Sequence, residues 1–329
     1  MNTTYIRLTT PEREEISRGL IFDQSFHAIA RSLHREVSTI SREVASGGGR
    51  KAYRAHTTAT KAWLAAKHGR PRKLATNLAL QAFVYDHLRL WWSPNQISRR
   101  LKAMYPNDKA MQISPESIYT YLYILPRGEL KKELIGYLRQ KRKLRENRRG
   151  KAAEDKRGHI PEMLSIEERP AEVAERIVPG HWESDLVMGR GNKTAIGTIV
   201  ERTTRTTILV HLRAKDATSV RQAFTREMKS LPNQMKLSMT HDQGREMIQH
   251  KLFTAETKIK VYFAHPHSPW ERGTNENTNG LIRQFFPKGT DFSVVTKKEL
   301  KHVQDLLNGR PRKALGYFTP YERFAELLR

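Results

Sequence analysis

The hydrophobic period of this chain changes once, near Gly180, and that change constrains its fold more than any other feature. Before it, apolar residues recur at helical spacing; after it, short β-branched runs take over. HWESDLVMG reads as a strand with Trp182, Ser184 and Leu186 on one face and Glu183, Asp185 and Val187 on the other. AIGTIVERTT and TTILVHLRA are two further runs parted by ERTTR, the pattern of adjacent antiparallel strands. A helix capped at Asp216 follows, with Val220, Phe224 and Met228 along one side. MKLSMTHD is then a fourth strand ending on Asp242, MIQHKLFTAET a helix and KVYFAH a short fifth strand. SPWERGTNENTNGLIRQFF reads as one long closing helix started by Ser268 and Pro269. The order β-β-β-α-β-α-β-α implies a mixed sheet flanked by helices. The expected architecture is multidomain: all-α helix-turn-helix units at 1–50 and 51–130, a basic linker at 131–178, and an α/β domain at 179–329.

In the helical half, two segments have the form of helix-turn-helix units. Thr10 is placed to cap a first helix that opens with Pro11 and carries Glu12, Glu14 and Glu15 near its positive end. A second helix is expected from Phe26 to Leu33, then a turn at His34–Val37, then a third helix capped by Ser38 with Ile40 and Val44 inward. Arg35, Ser38, Thr39, Ser41 and Arg42 are left outward, able to bond base edges or phosphates. In the second unit, Ser93 and Gln96 form a capping box around Pro94, with Ile97, Leu101 and Met104 as the buried stripe. Ser114–Pro115 starts a further helix with Ile118 and Leu122 inward and Ser117, Tyr119 and Thr120 facing out, so that Ser114, Ser117, Tyr119 and Thr120 are candidate DNA contacts. The nine residues between these helices exceed the usual tight turn. Trp91 and Trp92 read as core.

The charge points to the partner. With 59 Lys+Arg against 34 Asp+Glu, the formal net charge is +25, which suits a polyanion. Lys131 to Arg157 is the densest stretch, with twelve basic and four acidic residues; Arg142, Lys143, Arg148 and Arg149 within it are candidate phosphate contacts. No run approaches the roughly 18 apolar residues of a membrane span, and MNTTYIRLTTPEREE has no secretory apolar core. The absence of cysteine excludes disulfides, thiol catalysis and cysteine-ligated metals. A basic intracellular chain with nucleic acid as its partner is the expected setting.

Three carboxylates fall where chemistry is usually placed: Asp185 in the first long strand, Asp242 at the end of the fourth, and Glu276 in the closing helix. Hard divalent ions take oxygen ligands, and two of them about 3.5–4 Å apart can clamp both oxygens exchanged at a phosphodiester. On the closing helix Arg272, Glu276, Asn279 and Arg283 share a face by three- and four-residue spacing. Arg272, Asn279 and Arg283 are therefore candidate contacts to the DNA being acted on.

GHWESDLVMG, THDQGREM and HSPWERGTNENTNGLIRQFFPKGTDF resemble the three catalytic blocks of the DDE transposases of the insertion-sequence-thirty family, with a retroviral-integrase-like catalytic domain. Thirty-three residues lie between Asp242 and Glu276, the spacing of that family. The likeness extends over essentially the whole chain, through STISRE, the YRA at Tyr53, SPNQI and SPESIY, to NGRPRKALGYFTPYE. Ser184 and Asn95 depart from the glycine and the acid usual there. The resemblance implies an RNase-H-like fold at 179–329, helix-turn-helix regions that bind terminal inverted repeats, and strand cleavage and transfer. It also implies Asp185, Asp242 and Glu276 as ligands of two Mg²⁺ ions, replaceable by Mn²⁺, in a protein that is a homodimer or larger on DNA. Two other readings stay open on the residues alone: a non-enzymatic helix-turn-helix transcriptional regulator, and a nuclease without strand transfer.

Overall fold

The computed structural model describes residues 7–68, 72–138, 160–266 and 268–327. Two compact units are present, Met1–Thr76 and Asn77–Arg329.

The first unit consists of α1 (Thr10–Ile21), α2 (Phe26–Ser32), α3 (Val37–Ser46), α4 (Ala55–His68) and the single turn α5 (Lys73–Thr76). Its core is Leu8, Ile16, Leu20, Ile29, Ala30, Ile40 and Val44, closed by Tyr53. That tyrosine, with α4 packed on α1, carries the unit past the boundary expected at residue 50. The start of α1 differs from expectation by one position and that of α3 by two. Thr9, not Thr10, caps α1, in a capping box with Glu12. Helix α3 starts at Val37 with Glu36 as its cap residue, so Ser38 is no cap; its carbonyl and hydroxyl accept from Arg42 instead. Arg35 is committed to the fold, pairing with Glu12 at 2.7 Å and holding that carboxyl down at about 2. Ser38, Ser41 and Arg42 are exposed on α3, with Thr39 half-buried.

The second unit begins with α6 (Leu78–Arg89), α7 (Pro94–Met104), α8 (Pro115–Ile124) and α9 (Glu129–Gly136). The Ser93–Gln96 capping box forms as expected, Ile97, Leu101, Ile118 and Leu122 are fully buried, and Met104 is exposed instead. Ser98 ties the long connection down by donating to the Ile113 carbonyl at 2.6 Å. Ser114 and Ser117 bond each other and the start of α8, while Tyr119 and Thr120 are half-buried. These helices do not stand apart from the α/β part as a separate domain. Gln96 donates to the Pro311 carbonyl at 2.6 Å, Arg100 pairs with Glu322, and the Tyr317 hydroxyl donates to Asn95 at 2.9 Å. Arg142, Lys143, Arg148 and Arg149 lie outside the described residues.

The α/β part continues with β1 (Leu164–Ser165), α10 (Glu172–Glu175), β2 (His181–Met188), β3 (Ala195–Glu201), β4 (Thr207–His211), α11 (Ala217–Lys229), β5 (Ser238–His241), α12 (His250–Thr257), β6 (Lys260–Phe263), α13 (Gly273–Ile282), α14 (Lys297–Asn308) and α15 (Pro320–Leu327). One six-stranded sheet has the order β1-β6-β5-β2-β3-β4. Strands β1, β6, β5 and β2 are mutually parallel neighbours, and β3 and β4 run antiparallel. The expected mixed sheet is present, with β1 as an addition. Trp182, Ile199, Val210, Phe224 and Phe253 pack on one face; Val187, Ile196, Leu281, Ile282 and Leu307 pack on the other. The closing helix is shorter than its sequence pattern: a 3₁₀ turn runs to Arg272 and α13 starts at Gly273. Outside β4, the Asn308 amide exchanges two 2.8 Å bonds with the Thr207 backbone and Gln304 accepts from Leu209 N at 2.9 Å.

Gly197 on β3 allows Phe224 to approach the strand directly, since a Cβ there would lie 2.3 Å from the ring. Gly197→Ala is expected to destabilise the second unit by about 1–3 kcal/mol through overpacking, seen as a lower midpoint in urea denaturation.

Candidate active site

The site is built by strand register. Strands β2 and β5 pair parallel, with His181 opposite Ser238, Trp182 opposite Met239 and Glu183 opposite Thr240. The same offset sets Ser184 beside His241, where the hydroxyl and ring Nδ1 are 2.8 Å apart, and carries Asp185 alongside Asp242. Alternation on β2 turns Glu183, Asp185 and Val187 toward α13, matching the expected faces. Asp185 and Asp242 then share one cation. Arg272 Nη1 is 3.6 Å from Asp185 and Nη2 is 3.3 Å from Asp242, and the guanidinium also donates to the Ser184 carbonyl. Asn279 donates to the second oxygen of Asp185 at 2.8 Å and accepts from Thr198. Burial raises the Asp185 carboxyl above its ordinary range; Arg272 opposes this and the charge of Asp242 adds to it. Two crowded carboxylates of this kind are a donor set suited to a hard cation.

Glu276 is not gathered in with them. It is exposed on α13, and among the described residues the one group holding three ligand atoms within 4.8 Å of one another is His241, Asp242 and Glu246. The expected convergence of three acids is thus a pair of aspartates bridged by Arg272, with Glu276 on the next turn. The physical reason is charge: the guanidinium between the aspartates supplies the compensation that two like charges require. Arg283 is turned inward as well, donating to the Met188 carbonyl at 2.7 Å. Arg272, Asn279 and Arg283 share a helix face as their spacing implied, and that face meets the sheet.

Sequence reasoning missed four residues. Glu183, two positions before Asp185 on the same face, is fully buried, ion-paired with Arg202 at 3.1 Å and accepting from Asn275 N at 2.9 Å. It fastens the start of α13 to β2. Burial lowers the Arg202 guanidinium to about 10. His241, wholly buried, lies 3.4 Å from both Asp242 and Glu246. Burial pulls its pKa down, yet the bond to Glu246 and the charges of Asp242, Glu246 and Asp185 hold it above the ordinary value. The period-two alternation that marked Asp185 marked Glu183 equally, and the H-D-x-x-x-E spacing of THDQGRE was the signal for His241 and Glu246.

An integrase core domain model matches residues 175–269 and a helix-turn-helix domain model matches residues 4–46. Together with the mixed sheet and the paired aspartates of β2 and the end of β5, these define a DNA-binding recombinase with an integrase-type core. The transposase of insertion sequence element IS1086 from Cupriavidus metallidurans is 44% identical over 99% of this chain and 96% of its own length. Transposase InsI of element IS30A from Escherichia coli is 46% identical over 96% of this chain and 82% of its own, and the transposase of IS4351 from Bacteroides fragilis is 35% identical over 98% and 96%. The chain belongs to the IS30 family of transposases, enzymes of DNA cleavage and strand transfer, which sets aside the non-enzymatic regulator. Among the described residues no helix is long and apolar enough to cross a membrane.

Removing one partner of a buried ion pair leaves the other charge uncompensated. Glu183→Gln is expected to cost about 3–5 kcal/mol in chemical denaturation, and the double variant with Arg202→Met to recover much of that loss.

Proposed function

We propose that Asp185, Asp242 and Glu276 are the catalytic carboxylates of a DDE strand-transfer reaction, holding two Mg²⁺ ions, or Mn²⁺ in their place. The register that sets Asp185 beside Asp242, under a helix that carries Glu276, is the observation on which this reading rests. When bound, such a metal pair lowers the pKa of the attacking water or 3′-hydroxyl and stabilises the leaving 3′-oxygen. The chain's own residues set the stage. Asn279 fixes the Asp185 carboxylate through its amide, and Ser184 fixes the ring of His241 behind Asp242. Arg272 neutralises the aspartate pair before DNA arrives and is placed to turn to a phosphate oxygen once that charge is otherwise met. Glu276 closes the set by rotation of its side chain. Hydrolysis at the end of the element frees a 3′-hydroxyl, which then attacks a target phosphodiester; no covalent enzyme intermediate is involved.

The DNA partners in this reading are the terminal inverted repeats and a target duplex, handled at the bacterial nucleoid. End recognition falls to the exposed face of α3, with Ser38, Thr39, Ser41 and Arg42, assisted by Tyr119 and Thr120 of α8. Arg142, Lys143, Arg148 and Arg149 add positive charge for phosphate neutralisation. Joining two ends calls for two active sites, and so for a homodimer or a larger assembly on DNA.

With oligonucleotides from the flanks of its own gene and Mg²⁺, Asp242→Ala is expected to abolish end cutting, a loss of at least about 1,000-fold. Retained cutting by that variant reassigns the catalytic acid. A pre-cut 3′-hydroxyl end offered with a target plasmid is expected to yield joined product; nicking alone would mark a nuclease. Arg42→Ala is expected to weaken inverted-repeat binding by about 1–3 kcal/mol while sparing a random duplex, and equal losses on both in a gel-shift titration would remove Arg42 from the recognition surface.

A further inference from the structure

Helix α13 has a second working face. Arg272 and Asn279 look toward the aspartates, whereas Thr274, Asn277, Thr278 and Leu281 line a cleft of about 640 Å³ on another flank. Its remaining walls come from the turn after α6, from the segments around Arg176 and Arg205, and from the chain following α14. Among the described residues five cations line it, Arg176, Arg205, Arg310, Arg312 and Lys313, and no acid does. Gln284 and the Leu307 carbonyl hold Arg310 and Arg312 in position, and Arg205 donates to Thr274. Lys313 is exposed and Arg176 half-buried.

Aromatic rings complete the cleft. Trp91 and Tyr137 line it with ring centroids 5.3 Å apart, and Trp91 lies 4.8 Å from Phe285, over which Arg310 sits at 5.7 Å. The backbone adds an independent observation. Trp91, Arg176 and Arg205 all hold left-handed conformations, with φ of 63°, 58° and 62°. Glycine or asparagine adopts such a turn at less cost, yet at all three places the chain carries a large side chain that lines this same cleft. Burial and the neighbouring Arg176 lower the Arg205 pKa, a sign of positive charges crowded together.

A row of cations beside a cluster of aromatic rings is the chemistry that holds an unpaired nucleic-acid strand: phosphates on the cations, a base on an aromatic face. The volume is that of a small-ligand pocket and leaves no space for a duplex. We infer that this cleft binds a short single-stranded segment of DNA, with Arg176, Arg205 and Lys313 on its phosphates and a base against Trp91. Binding of the strand stands on the cleft alone; only its origin, an opened end of the element, rests on the proposed reaction.

The test is fluorescence-polarisation titration of the full chain with a labelled six-nucleotide single strand and with a labelled hairpin duplex of unrelated sequence. Neutralising two contacts in Arg176→Gln/Lys313→Gln is expected to weaken the single strand at least about tenfold and to flatten its slope of log K against log salt by about 1.4, while the duplex shifts less than about twofold. Trp91→Leu is expected to weaken the strand by about tenfold and to remove the strand-induced quenching of tryptophan fluorescence. Both variants should retain the wild-type circular dichroism melt. Unchanged single-strand affinity in both variants, or equal losses on strand and duplex, would overturn the assignment, as would inorganic phosphate competing as strongly as the oligonucleotide. None of these readings uses cleavage, so failure of the DDE proposal at Asp242 would leave them separately interpretable.

Discussion

The parallel pairing of β2 with β5 is the constraint on which the site depends. Each strand carries one acid, and neither acid is informative alone. The offset that joins His181 to Ser238 brings Asp185 to Asp242 four residues later, and Ser184 to His241 on the way. A slip of one residue would turn one aspartate to the opposite face of the sheet. Register is protected from below by Trp182, whose indole donates to the Met235 carbonyl at 2.7 Å within the core. It is protected from above by Glu183, which joins Arg202 and the start of α13.

Electrostatics then decides what α13 does. Two carboxylates brought side by side in a half-buried place need a positive partner, and Arg272 meets that need from the turn preceding the helix. Asn279, two turns on, supplies a neutral donor to the same aspartate. Glu276 stands between them in sequence and is exposed. One helix therefore presents a charge-balancing face to the aspartates and, on another flank, a wall to the basic cleft near Trp91. Its anchoring at Asn275 by a wholly buried acid gives both faces a common fixed point.

What could be read from the chain was what is local. Ser93, Pro94 and Gln96 specify a helix start within four residues, and that start forms as written. Alternation along HWESDLVMG placed Asp185 and Val187 on one face, and the sheet keeps them there. Boundaries decided by competition between adjacent candidates were less legible: Thr9 takes the cap from Thr10 because Glu12 then falls at the position that completes a capping box. Least legible was the direction of a polar face. The spacing of Arg272, Asn279 and Arg283 grouped them correctly, but only tertiary packing turns them onto Asp185 and the Met188 carbonyl rather than outward. Arg35, in the turn between α2 and α3, is a similar case, since its partner Glu12 lies on α1. The union of α7 with the C-terminal segment through Gln96 and Pro311 spans too much chain for any local pattern to announce.

The side-chain bonds along β4 bear on what a neighbouring molecule can do at the edge of this sheet. Asn308 copies a strand's donor and acceptor at Thr207, and Gln304 does half as much at Leu209. At the far margin of the sheet β1 is only two residues long. A neighbour seeking to prolong the sheet by adding its own backbone finds one rim already sealed and the other too brief to grip. Contacts made at the margins of this sheet must then be written in surface chemistry, which mutation can tune residue by residue, and not in the indiscriminate adhesion of main chain to main chain.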